Sequence, residues 1–84
     1  MKIGVAGTVE SNDCLITVET SDKLEIKIES IVFEFFGEQI KKVIEDTLVE
    51  LNIKAIKVTC NDKGALDCTI KSRLVTAINR MEVI

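Results

Sequence analysis

The period of the apolar residues changes repeatedly along this chain, and those changes limit what it can fold into. Up to residue 30 the period is two. Residues 2–10 place Ile3, Val5, Gly7 and Val9 on one face and Lys2, Gly4, Thr8 and Glu10 on the other. Residues 14–20 set Cys14, Ile16 and Val18 against Leu15, Thr17 and Glu19, and residues 24–30 set Leu24, Ile26 and Ile28 against Glu25, Lys27 and Glu29. Alternation with one polar face marks an antiparallel strand that is solvated on one side. Over residues 33–51 the spacing becomes three and four, through Phe33, Phe36, Ile40, Ile44, Leu48 and Leu51, which predicts an amphipathic helix. Residues 54–60 return to period two, with Ile56, Val58 and Cys60 inward. Residues 61–64 read as a turn in which Asp62 caps the next helix. Leu66, Ile70, Leu74, Ala77, Ile78 and Met81 then form a second helical stripe.

The element order is β-β-β-α-β-α. It predicts an α+β fold, a two-layer sandwich of a four-stranded, mainly antiparallel sheet with two helices on one face. At 84 residues the chain has room for one core, so residues 1–84 form a single domain. A two-residue turn at Asn12-Asp13 pairs Val9 with Ile16 and Gly7 with Val18, so that the apolar faces coincide. A three-residue loop, Ser21-Asp22-Lys23, sets Val18 opposite Ile26. The expectation is a tight first hairpin and a looser second one.

Composition narrows the function. The chain has no His, Trp, Tyr or Pro. Without His it lacks the usual general base near neutral pH and the commonest metal ligand, which argues against a self-sufficient enzyme. A net charge of −3 argues against a nucleic-acid partner, whose footprint is a basic patch. The three cysteines, Cys14, Cys60 and Cys68, show no zinc-ligand spacing and read as small buried hydrophobes in a reducing cytosol. Asp13 and Asp67 beside two of them have the wrong sign to activate a thiolate. No apolar run matches a signal peptide or a membrane span, so the expected location is cytoplasmic, with no membrane partner.

Three features could carry chemistry. Ser11, between Glu10 and Asn12-Asp13, is expected at a hairpin tip as an exposed hydroxyl with no base beside it. Turn chemistry alone explains a Ser in that setting; the functional reading is a site modified by another enzyme. Residues 61–68, Asn-Asp-Lys-Gly-Ala-Leu-Asp-Cys, hold too few Gly and Lys for a phosphate loop, and Asp62 and Asp67 oppose an anion there. They read as a turn and helix start. Among the phenylalanines, Phe33 and Phe36 fall on the core stripe, whereas Phe35 leaves it and is a candidate for an exposed partner contact. No catalytic residue and no metal ligands are expected.

The segment Ala6-Gly7-Thr8-Val9-Glu10-Ser11-Asn12-Asp13, and downstream of it Asn61-Asp62-Lys63-Gly64-Ala65-Leu66-Asp67-Cys68, resembles the acyl carrier protein, or gamma chain, of citrate lyase. The likeness extends to the opening Met1-Lys2-Ile3 and to the Phe36-Gly37 step. It implies that Ser11, the serine of a G-T-x-E-S motif, carries 2'-(5''-phosphoribosyl)-3'-dephospho-CoA through a phosphodiester. It further implies a non-catalytic subunit whose arm shuttles acetyl and citryl thioesters between the alpha (transferase) and beta (lyase) chains as citrate is cleaved. A prosthetic-group transferase would be a further partner. Glu10 and Asp13 would then repel the anionic arm. The alternative is a small α+β binding or regulatory module without a prosthetic group. It would work through a helix–sheet groove or through a flat sheet face at Gly4, Ala6 and Thr8.

Overall fold

Two short apolar rows run straight across the sheet and define the core. In one, Ala6, Ile16, Cys60 and Ile28 sit side by side; in the next, Gly4, Val18, Val58 and Ile26 do so. The computed structural model describes residues 1–31 and 33–83, and the side chains of these except Phe33, Glu82 and Val83. Its elements are β1 (Lys2–Gly7), β2 (Cys14–Glu19), β3 (Leu24–Ser30), α1 (Phe33–Glu50), β4 (Ile56–Asp62), α2 (Asp67–Asn79) and β5 (Glu82–Val83). The expected two-layer α+β sandwich is present, in the expected order, with the short β5 added. The sheet order is β3-β4-β2-β1-β5. It is mainly antiparallel, but β3 and β4 pair in parallel. A parallel pair needs a crossover connection, and α1 supplies it.

Both helices cover the same sheet face. α2 lies across β1 and β2, and α1 lies along β3 and against α2. Ile40, Ile44 and Leu48 of α1 meet Ile70, Leu74 and Ala77 of α2 in one cluster with the sheet rows. The α1 stripe thus buries its middle; Leu51 at its end is half exposed, and the expected core role of Phe33 lies outside the described side chains. α1 ends in a left-handed residue, Asn52 at φ 57°. The Ile53 amide donates to the Leu48 carbonyl at 2.9 Å and the Asn52 amide to Val49 at 3.0 Å. Those two bonds satisfy carbonyls that the last helical turn would otherwise leave open.

Three expectations about the strands are corrected. β2 and β3 are not hairpin partners, because β4 inserts between them. Val18 and Ile26 do share a row, with Val58 between them. The first hairpin is not tight: Gly7 pairs with Leu15, leaving residues 8–13 as a six-residue loop. This shift turns β1 over, so Gly4 and Ala6 face the core and Val5 faces out. The reason is α2. A Cβ on Gly4 would strike the carbonyl oxygen of Ala77, so the helix backbone occupies the space that side chains fill elsewhere. The small face is therefore the buried one, and no flat surface is left at Gly4 and Ala6.

Candidate functional site

The β1–β2 loop grows from a glycine that nothing else can replace. Gly7 has φ +98°, and a Cβ there would collide with the Cys14 carbonyl oxygen. Beyond it the chain leaves the sheet, turns at Ser11-Asn12, and returns at Asp13. Asn12 adopts the left-handed conformation at φ 64°, which Asn tolerates better than most residues. Ser11 stands exposed at this turn, as expected.

What holds the loop is Asp13. One carboxylate oxygen accepts from the Cys14 amide at 2.7 Å and from Arg73 Nε at 3.0 Å. The other accepts from the Thr8 hydroxyl at 2.8 Å and from Arg73 Nη2 at 2.9 Å. The Thr8 hydroxyl oxygen in turn accepts from the Glu10 amide at 3.2 Å. Two-point Arg–carboxylate contacts combine strength with directional specificity. Arg73, with help from the Thr8 hydroxyl and the Cys14 amide, holds the Asp13 carboxyl at about 2 against its ordinary 3.8. Asp13 is thus a strut whose charge is paired with Arg73, not a free negative charge beside Ser11.

The loop is also stitched to the β4–α2 connection. The Asn12 amide donates to the Lys63 carbonyl at 2.8 Å, and the Lys63 amide donates back to Asp13 at 2.9 Å. Asp62, just before, is buried yet well partnered. It accepts from the Ser30 hydroxyl at 2.8 Å, the Ala65 amide at 2.9 Å and the Gly64 amide at 3.2 Å. A carboxylate taken from water needs such partners. Asp62 therefore caps the turn at Gly64 and Ala65. It does not cap α2, whose first residue comes after Leu66 without a side-chain cap.

Beside this connection lies a half-open groove of about 590 Å³ between α1 and the start of α2. Phe36, Ile40, Ala65 and Leu66 supply its apolar lining, with Gln39 and Cys68 at its polar edge. Phe36 is therefore half exposed in the groove instead of core, and Phe35 is exposed as expected. Of the cysteines, Cys14 and Cys60 are buried, whereas Cys68 is exposed, contrary to expectation. A hydrogen bond to Cys14 and burial push the Cys60 thiol far above its ordinary value, so it stays protonated. The sequence places Ser11 at an exposed turn but gives no sign of Arg73, which lies sixty residues from Asp13. No local pattern links the two; only the packing of α2 on β1 and β2 does.

Fold and loop together define a small scaffold that presents one serine hydroxyl on a braced turn, with an apolar groove behind it. Comparison with known proteins gives the class. A family model described as malonate decarboxylase delta subunit, an acyl carrier protein family, matches residues 1–81. Citrate lyase acyl carrier proteins are close relatives. That of Treponema denticola is 50% identical over 76 residues, covering 90% of this chain and 87% of the relative. That of Streptococcus mutans is 53% identical over 78 residues, 90% and 76% of the two chains. That of Lactiplantibacillus plantarum is 52% identical over 77 residues, 90% and 80%. The chain belongs to this acyl carrier protein family.

Proposed function

We propose that this protein is the acyl carrier subunit of a citrate lyase complex and that Ser11 is the attachment point of its phosphoribosyl-dephospho-CoA arm. The observation that carries the reading is the construction of the loop: an exposed hydroxyl on a turn whose every flank is tied to the scaffold. The residues present fit such a group. Ser11 projects at the surface, the carboxylate two residues away is neutralised by Arg73, and Lys63 adds a cation to the adjoining strand end. When bound, the group supplies a terminal thiol that carries acetyl and citryl groups between the alpha and beta chains.

The chain's own part is limited. Ser11 contributes the bridging oxygen of the phosphodiester. Asp13, two residues away, is too weak a base and too fully hydrogen-bonded to take the hydroxyl proton. The transferase must bring the base, and the alpha and beta chains the remaining chemistry. That makes the protein a non-catalytic carrier. Among the described residues no helix is long and apolar enough to cross a membrane. The test is intact mass after co-expression with the enzymes that make and transfer the group. The protein should gain the mass of one group, and Ser11→Ala should gain none. An unmodified protein in the presence of demonstrably active transferase would overturn the reading.

A further inference from the structure

We infer that the groove between α1 and the start of α2 is a resting site for the uncharged, amide-containing distal segment of the arm attached at Ser11. The inference rests on Ser11 being the attachment point. Three observations point to this occupant. The first is continuity. Ser11 adjoins Asn12, whose amide is bonded to Lys63, and Gly64, the next residue, lines the groove with its α-carbon facing the Asn12 side chain. A chain leaving Ser11 therefore starts beside the rim of the groove. The second is size. About 590 Å³ falls within the range of sites that enclose small organic molecules. It is far more than an acetyl group needs, so it suits a linear segment of the arm.

The third is charge. The anionic part of the arm lies nearest its serine, and the far part is a neutral run of amides ending in sulfur. The groove matches that polarity. Its walls are Phe36, Ile40, Ala65 and Leu66, and among the described residues the acidic groups on it are Asp62 and Asp67. Asp62 is buried in its own hydrogen bonds, and Asp67 accepts twice from Gln39 Nε2 at 3.0 Å. Neither carboxylate attracts phosphate, whereas Gln39 and the uncapped first turn of α2 offer polar partners to amides. Tethering makes a weak site sufficient. A flexible link gives an effective concentration of about millimolar, so a site with a Kd of about 1 mM is occupied roughly half the time. The partner chains can still withdraw the arm.

The experiment uses the arm-loaded protein with Cys68→Ser, so that the arm thiol is the accessible one; Cys14 and Cys60 are buried. Two readouts are taken: amide shifts of the loaded against the unloaded protein, and the rate at which iodoacetamide alkylates the thiol, compared with free pantetheine. Docking predicts shifts at Phe36, Gln39, Ala65 and Leu66 and alkylation slowed about twofold to tenfold, since protection scales as one plus effective concentration over Kd. Filling the groove with Cys68→Trp should erase those shifts and restore the free rate, with circular dichroism confirming the fold. Shifts confined to the loop, together with alkylation at the free rate, would overturn the docking site while leaving Ser11 as the anchor. Intact mass identifies the other failure: no added group means that the carrier reading itself is wrong, and the docking site with it.

Discussion

At the scale of single residues, the pairing of Asp13 with Arg73 braces the loop that carries Ser11. Their contact makes the turn at Ser11 one shape instead of many. Replacing Arg73 with Leu leaves the Asp13 carboxylate with the Thr8 hydroxyl and the Cys14 amide only. The Asp13 carboxyl should then titrate higher than about 2, as tracked by the carboxyl carbon shift in NMR. Hydrogen exchange at residues 10–13 should speed up, and the transferase should show a higher KM for the variant while its kcat changes less. The pH dependence has a definite sign. Asp13 is lowered when folded, so its contribution is complete above 3.8 and disappears as the pH falls through about 2. Loop protection should thus be flat from neutral pH to about 4 and fall only below that, as exchange measurements against pH will show. A loop that loosens between pH 7 and 5 would mean that another group braces it.

At the scale of elements, Gly4 and Asn52 test the two close fits. Gly4→Ala drives a Cβ into the Ala77 carbonyl, so α2 must lift from β1. The cost should be about 1–3 kcal/mol in urea unfolding, the usual penalty for overpacking. Asn52→Ala keeps a left-handed residue without the side chain that eases it, and should cost about 1 kcal/mol, which Asn52→Gly should largely restore. These sites also show why elements are more legible than their neighbours. The helical stripe through Ile40, Ile44 and Leu48 buries enough volume to declare itself. β1 misleads because its core side carries the smallest residues, and volume alone does not reveal that a helix backbone fills the gap. Period two says which residues share a face, not which strand lies alongside. It rightly puts Val18 and Ile26 in one row, but nothing local announces that Val58 separates them. Two residues at β5 are too few to show any period.

At the scale of the molecule, the candidate site gathers at one end. The β1–β2 loop, the carboxyl ends of β3 and β4, and the amino end of α2 meet there, tied by Asp13, Asp62 and Lys63. The sequence marks Ser11 as an exposed hydroxyl, and the family likeness implies its role. Arg73, the groove and the half-exposed Phe36 depend on contacts between distant segments and leave no local trace. The remainder of the chain serves as a rigid base. Ile44→Ala, at the centre of the cluster, should cost about 2–5 kcal/mol in denaturant unfolding, whereas exposed Phe35→Ser should stay within about 0.5 kcal/mol. The most direct test is fragment-level mass spectrometry of the loaded protein, because the sequence contains four serines, Ser11, Ser21, Ser30 and Ser72. A single phosphodiester-linked group should be located on Ser11; the same group found on Ser21, Ser30 or Ser72 would contradict the carrier role of Ser11.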